Sequence, residues 1–267
     1  MSDYKAPVKD MRFVMDEIVG LSEIAGLPGY EEATPDMADA IPEEAAKFTG
    51  EVLAPLNRRG DTEGCKLGPQ SVVTPEGWKE AYKAFCEGGW NGLGAPAEFG
   101  GQGLPETFGI AVKEMASSAN LAFSLCSVLT GGAIAALLTC ASDELKATYL
   151  EKMIAGEWSG TMNLTEPNAG SDLALIRSRA ESQADGSYRI FGQKIFITYG
   201  DHDMTDNIVH LVLARLPDAP AERLALADAA PTAPVTGNRD HQPVQRRLQR
   251  NPARGGRNAG LAGRCRA

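Results

Sequence analysis

The sequence predicts an α+β fold: an all-helical N-terminal domain, then the start of a β-barrel or β-sandwich domain, then a disordered tail. Three observations carry this reading. Apolar residues recur at helical spacing as far as Gly156, short strand-like runs follow between Trp158 and Arg215, and both periods then fade. The implied boundaries are 1–157, 158–220 and 221–267, with 1–36 as an extension ahead of the helical domain proper.

Met11–Ile24 places Val14, Ile18 and Leu21 beside Met15 and Val19 at helical spacing, and Leu27-Pro28-Gly29-Tyr30 ends that run. Thr34-Pro35-Asp36 offers a capping hydroxyl and a first-turn proline, the start of a second helix. Pro42 has no amide hydrogen to give, so a kink or restart is expected there. Ala45, Phe48, Val52 and Leu53 form the next apolar face, which Arg59-Gly60-Asp61 should stop. Thr74-Pro75-Glu76 opens a helix carrying Trp78, Tyr82 and Phe85, and Gly88-Gly89 closes it. Glu106–Ser118 and Phe123–Cys140 read as two further helices. Ser142-Asp143-Glu144 starts the last one, which ends at Gly156.

Strand signals fall at Trp158–Leu164, Ile176–Glu181, Ser187–Phe191, Lys194–Thr198 and Ile208–Arg215, with a hairpin turn at Asp185-Gly186. An antiparallel region is expected from them. From Ala221 onward the chain has no aromatic residue and no Lys, and only Leu224–Ala230 keeps any periodicity. Such a segment buries too little apolar surface to offset the entropy of ordering.

The chain has 267 residues, of which 43% are hydrophobic and 23% charged, ordinary values for a globular protein. Its net charge of −9 is unevenly spread. Residues 1–220 hold 17 Lys/Arg against 32 Asp/Glu, whereas 221–267 hold nine Arg against three acids. An acidic body disfavours nucleic acid or an anionic membrane as partner. The arginines of the tail, Arg246-Arg247, Arg250, Arg254 and Arg257, resemble an RNA-binding arm in composition, but no aromatic side chain is interleaved for base stacking.

Cys65, Cys86, Cys126, Cys140 and Cys265 are scattered and odd in number, without a Cys-x-x-Cys pair. They read as reduced, buried thiols of a cytoplasmic protein. Ala122–Ala141 carries no charge, yet its Ser, Thr and Gly content and the lack of basic anchors favour a buried central helix over a membrane span. His202 and His210 have no second ligand at metal-binding spacing.

The motif richest in chemistry is Thr161-Met-Asn-Leu-Thr-Glu-Pro-Asn-Ala-Gly-Ser-Asp172, with Lys194-Ile-Phe-Ile-Thr198 following it. A flavin ring needs hydrogen-bond donors along its N1–C2=O edge, a donor at N5 and a flat group on one face. Thr165 offers a hydroxyl and a backbone N–H, and Pro167 fixes the turn. Ala169-Gly170-Ser171 permits close approach of backbone to a pyrophosphate. On a strand, Phe196 and Thr198 would share a face and supply a stacking ring and a second hydroxyl. The competing reading is an ordinary turn between strands. Glu166, inside the turn, reads as a structural or charge-positioning residue, and Glu157 as a solvated one.

Asn163–Asp172 and Gly192-Gln-Lys-Ile-Phe-Ile-Thr198 resemble the acyl-CoA dehydrogenase family, as does the turn Ala95-Pro-Ala-Glu-Phe-Gly-Gly-Gln-Gly103. The opening Tyr4–Phe13, the Leu27–Glu31 stretch and Gly200-Asp-His-Asp203 are similar to the subgroup acting on 3-(methylthio)propanoyl-CoA. The resemblance implies FAD as cofactor, held by Met162, Asn163, Leu164, Thr165, Gly170, Ser171, Phe196, Ile197 and Thr198. Ser171 would also lie near the acyl-CoA. Phe196 stands where the family often has Trp. The implied reaction removes an α proton with a carboxylate while a β hydride passes to the flavin, giving a 2-enoyl-CoA. The resemblance further implies an acceptor of the electron-transfer flavoprotein type and a homo-oligomer, with no nucleic acid, no membrane and no metal.

The family's catalytic Glu lies in a C-terminal helical domain that this sequence does not show, so no catalytic residue is assigned. The resemblance ends near Pro220, and the composition beyond it is that of a shifted reading frame in a GC-rich gene. The isolated chain is therefore expected to be inactive. Ile208, Val209, Leu211 and Val212 are expected to lack a covering sheet. Two other classes fit the same residues: a non-enzymatic assembly module that keeps the helical domain, and an acyl-CoA oxidase of the same fold.

Overall fold

The computed structural model describes residues 4–69, 71–184 and 187–217, together with the backbone of two short strands at 225–229 and 247–248. The Asp185-Gly186 turn, Cys265 and the rest of the 221–267 tail lie outside the described residues. The helices are α1 Val8–Phe13, α2 Leu21–Ala25, α3 Pro35–Phe48, α4 Ala54–Glu63, α5 Trp78–Glu87, α6 Glu106–Cys140 and α7 Asp143–Ile154. The strands are β1 Lys66–Leu67, β2 Val72–Val73, β3 Trp158–Asn163, β4 Arg179–Ser182, β5 Tyr188–Phe191, β6 Asn207–Ala214, β7 Ala225–Ala229 and β8 Arg247–Leu248. The described residues are thus α+β, as expected. The chain forms two compact units: one holds residues 1–67, 73–128 and 154–156, the other 68–72, 129–153 and 157 onward.

In the first unit the expected Met11–Ile24 helix is broken in three. A π-helical turn, Val14–Val19, follows α1, and Gly20 (φ +71°) separates it from α2. Thr34 caps α3, accepting the Met37 amide at 3.3 Å. Pro42 does not interrupt α3, which runs through it and buries the proline ring. The loss is one backbone hydrogen bond in a helix whose Ala38, Ile41 and Ala45 are all buried. Thr49–Leu53 is a second π-helical region, which joins α3 to α4.

Gly60 does not stop α4 either, and the helix ends at Gly64 (φ +63°). The reason is packing: a Cβ on Gly60 would lie 2.7 Å from the Trp78 ring. Trp78, Phe85, Phe48 and Phe123 then stack edge-on or tilted, with centroids 5.6–6.4 Å apart. The two helices expected between Glu106 and Cys140 are both present: α6 is non-helical at Asn120 (φ −158°, ψ 86°), where one helix ends and the next begins. The Asn120 carboxamide accepts the Phe123 amide at 3.1 Å and donates to the Leu53 carbonyl at 3.3 Å. It restarts the helix and closes a buried backbone acceptor at once. A second core of Met11, Met15, Leu21, Ile41, Leu104, Phe108, Val112 and Met115 lies beneath α1 and α3.

Along α6, Phe123, Cys126, Ala133, Ile134 and Leu137 are buried while Ile110, Leu121 and Val128 are exposed. By length and composition alone this helix is able to cross a membrane, and 39% of its most apolar window is buried. Burial thus follows one stripe rather than the whole circumference. Of the described thiols, only Cys126 is buried; Cys65 is exposed, and Cys86 and Cys140 are partly covered. None of these four lies in a disulfide, and the expectation of uniform burial is corrected.

In the second unit, α7 is capped by Ser142, whose hydroxyl accepts the Leu145 amide at 3.3 Å. Its strands form two three-stranded sheets, β3-β6-β7 and β4-β5-β8. The first is mixed: β3 and β6 are parallel, Trp158 to Asn163 opposite Asn207 to Val212, while β6 and β7 are antiparallel. A purely antiparallel region was expected, but β3 and β6 are joined by a 43-residue excursion that returns the chain in the same direction. Ile208, Val209, Leu211 and Val212 are buried, contrary to the expected uncovered face; Val212 packs with Ala180, Ile190 and Ala214 in one core cluster. β7 falls where the tail keeps its one periodic stretch.

Two glycine substitutions separate packing from propensity. Gly60→Ala should lower stability to urea by about 1–3 kcal/mol, since a methyl group meets the Trp78 ring. Gly131→Ala, inside α6 with no atom within 4 Å of the added Cβ, should raise it by up to about 1 kcal/mol.

Candidate functional site

The two motif segments lie side by side in the second unit. β3 carries Met162 and Asn163 to its end, and Leu164–Ala169 forms a tight return in which Glu166 and Ala169 exchange backbone hydrogen bonds of 2.9 and 3.1 Å. The Ile195 amide donates to the Thr165 carbonyl at 3.0 Å. That single bond brings the Met162–Thr165 and Ile195–Thr198 segments together.

The side chain beneath this junction is Glu166. Its carboxylate, 3% exposed, accepts from the Arg177 amide (2.7 Å), the Ser178 amide (3.0 Å) and Lys194 Nζ (2.8 Å). Lys194, 10% exposed, also donates to the Leu164 carbonyl at 2.9 Å. Burial opposes ionisation of Glu166. The Lys194 ammonium and the Ser178 and Arg177 donors outweigh it and hold the carboxyl below its ordinary range. Burial pushes the Lys194 ammonium down, against the pull of Glu166. Glu166 is thus a structural, charge-positioning residue, as the sequence indicated, and Glu157 is exposed.

Neighbouring residues complete the frame. Gly192 has φ +151°, and a Cβ there would lie 2.1 Å from Ser178 Oγ, so only glycine lets the end of β5 meet the strand that grips Glu166. Arg215 donates to the Ile176 carbonyl at 2.7 Å and also to the Ala174 carbonyl. Asp172 caps the short turn Leu173–Leu175 through the Ala174 amide (3.0 Å), and Asn168 donates to the Leu175 carbonyl (2.6 Å). Lys194 and Arg215 had no role in the sequence reading. The one available signal was a basic residue at the edge of each segment, Lys194 before the Ile195–Thr198 stretch and Arg215 directly after β6.

Of the residues expected to hold the cofactor, Met162, Asn163, Leu164, Thr165, Ile197 and Thr198 are half-buried, while Gly170, Ser171 and Phe196 are exposed. Lys194–Thr198 is not a strand, which corrects the expectation that Phe196 and Thr198 share a pleated face. Phe196 and Tyr199 both have left-handed backbone, φ +58° and +53°. Lys194 is pulled inward to Glu166, and the chain after it leaves the sheet instead of pairing. Phe196 is thereby 88% exposed. No group of three or more possible metal ligands occurs among the described residues.

The side-chain hydroxyls of β3 point to two buried histidines. Thr161 donates to Asn163 Oδ1 at 2.6 Å and accepts from His210 Nδ1 at 2.6 Å. Ser159 lies 2.9 Å from His202 Nε2. The Gly160 amide donates to Thr130 at 3.0 Å. The strand that delivers Thr165 is therefore pinned by side chains as well as by its ladder with β6.

Residues 35–157 match the family model described as acyl-CoA dehydrogenase, N-terminal domain. The chain is 52% identical, over 217 residues, to the 3-methylmercaptopropionyl-CoA dehydrogenase of Ruegeria pomeroyi, covering 81% of this chain and 37% of that protein. It is 37% identical to a butyryl-CoA dehydrogenase of Syntrophomonas wolfei, covering 81% and 36%. Among solved structures, butyryl-CoA dehydrogenase from Megasphaera elsdenii superimposes with a TM-score of 0.62 at 20% identity, over 74% of this chain and 49% of that one. This last likeness shows the fold. The chain spans a little over a third of the length of the curated relatives it matches.

Replacing Glu166 by Gln should cost about 3 kcal/mol of stability at neutral pH, because Lys194 is left buried without its counter-charge. Since the carboxyl is held below its ordinary value of 4.5, its contribution is fully present above that value and is lost as pH falls through the folded-state value. Urea unfolding across a pH series should show parent and variant far apart at neutral pH and converging in acid.

Proposed function

We propose that this chain, whose residues 35–157 match the N-terminal domain of the acyl-CoA dehydrogenase family, belongs to that family and holds FAD on the surface formed by Met162–Thr165, Gly170-Ser171 and Phe196–Thr198. The protein it serves would be an acyl-CoA dehydrogenase, with 3-(methylthio)propanoyl-CoA as the first substrate to test. The observation that carries this is Phe196. A phenyl ring 88% exposed, on left-handed backbone that costs on the order of 1 kcal/mol, has reason to persist where a flat ligand covers it. Gly170 supports it: a Cβ there would meet nothing within 4 Å, leaving backbone open to a phosphate beside the Ser171 hydroxyl.

Bound FAD supplies the two-electron oxidation that turns an acyl thioester into a 2-enoyl thioester. The residues of this chain would orient the ring and exclude water from one side of it. Thr165 and Thr198 would offer hydroxyl donors to the ring edge, fixed by the Ile195–Thr165 backbone bond, and Phe196 would cover a face. Ser171 would approach the pyrophosphate and the acyl-CoA. Glu166 is committed to Lys194 and two backbone amides and so would not serve as the proton-abstracting carboxylate. An electron-transfer flavoprotein as acceptor, homo-oligomeric assembly and a cytoplasmic location complete the proposal.

Titration of the purified chain with FAD, followed by quenching of flavin fluorescence, tests the site. Thr165→Val and Thr198→Val should each weaken binding about tenfold, the worth of one hydrogen bond to the ring. If the chain leaves FAD fluorescence unchanged at saturating concentration, the proposal fails.

A further inference from the structure

The segment Lys194–Thr198 has no ladder to hold it. The Ile195 amide donates to the Thr165 carbonyl at one end, and the Gly200 amide to the Ile197 carbonyl at the other. Lys194 anchors the entry. The exit runs through Tyr199, again left-handed, whose ring meets the His202 imidazole edge-on with centroids 5.5 Å apart. His202 is 5% exposed.

The hydrogen bonds around His202 fix its tautomer. Nδ1 accepts the Met204 amide at 3.2 Å, so the ring proton sits on Nε2, which donates to Ser159 Oγ at 2.9 Å. Thr205 donates to the Asn207 carbonyl at 2.9 Å and so accepts from Ser159 at 3.3 Å. The chain Met204–His202–Ser159–Thr205–Asn207 is continuous, with every direction determined. Burial pushes the imidazole down to about 4, against the pull of the Asp203 carboxylate, so the ring is neutral at physiological pH and keeps this arrangement. Asp201 ties the same loop down by accepting the Val72 amide at 3.3 Å.

We propose that His202 is the positioning residue for the Phe196–Thr198 segment, locking its exit onto β3 through Ser159 and its own loop through Met204. Both ends of the segment are then clamped by a buried side chain, Lys194 before it and His202 after it. That the segment faces a flavin rests on the reading proposed above; the clamping by His202 does not.

Limited chymotrypsin digestion of the full chain, read by mass spectrometry, measures the clamp directly. Cleavage after Phe196 reports on the segment, and cleavage after Tyr30, in the first unit, is the internal control. His202→Ala should speed cleavage after Phe196 by about tenfold, while His202→Gln, which keeps a donor toward Ser159, stays within about threefold of the parent. The Tyr30 rate should not move in either variant. A parental rate at Phe196 in His202→Ala overturns the proposal, and so does an equal acceleration at both sites, which marks a general loss of stability. If His202→Ala does not fold, Ser159→Ala removes the hydroxyl that joins His202 to Thr205 and is judged by the same two rates.

FAD titration of the same variants separates the two ideas. Where the parent binds FAD, His202→Ala should weaken it about tenfold and His202→Gln restore it. A parent that fails to bind FAD overturns the flavin reading, while the cleavage rates still decide the role of His202.

Discussion

A carboxylate with almost no access to water has to be answered by donors where it stands, and Glu166 is answered by three. The Lys194 ammonium and the amides of Arg177 and Ser178 come from chain segments 28, 11 and 12 residues away, and all lie within 3.0 Å. None of these segments can drift without leaving a buried charge unpaired, a loss of about 3–5 kcal/mol. The stabilisation relative to an apolar core is small, because desolvating two ions offsets most of their attraction. What the pair does enforce is a single arrangement of the Leu164–Ala169 return, the β4 entry and the Lys194–Thr198 segment.

The rest of the second unit is organised around that arrangement. β3 is held on one side by its parallel ladder with β6, through its Gly160 amide by Thr130, and through its Ser159 and Thr161 side chains by His202 and His210. A strand carrying Ser159 and Thr161 inward is poor in hydrophobic burial, so hydrogen bonds replace packing as its fixative. The directed chain through His202 works only with a neutral ring, and burial keeps the ring neutral. Polar groups buried in this way are costly unless every one is satisfied, which is why they specify one geometry.

The first unit uses the opposite strategy. Its cores are aromatic and aliphatic, and among the few buried polar residues Asn120 sits at the bend of α6, where a backbone amide and the Leu53 carbonyl both need partners. Glycine there serves packing: Gly60 admits the Trp78 ring instead of ending α4. Apolar side chains left exposed on α1, the π-helical turn and α6 are scattered along a face rather than gathered over a site.

Local chemistry was readable without coordinates. Thr34 and Ser142 cap helices because a hydroxyl beside free amides is satisfied by its nearest neighbours. The strands at β3 and β6 were equally legible, each being set by residues close in sequence, and Glu166 was legible as a structural residue although its partners were not. Pro42, Gly60 and Lys194–Thr198 were misread, since each depends on what packs against it. A buried face tolerates the proline, an indole ring fills the space over the glycine, and a distant carboxylate draws Lys194 inward so that its strand never forms. The sequence by itself determined the helical and β regions, their caps and the chemical inventory of the motifs. Only the tertiary structure decided the parallel pairing of β3 with β6, the left-handed turn at Phe196 and the roles of Lys194 and His202, because a buried charge or imidazole selects its partners by distance in space and not along the chain.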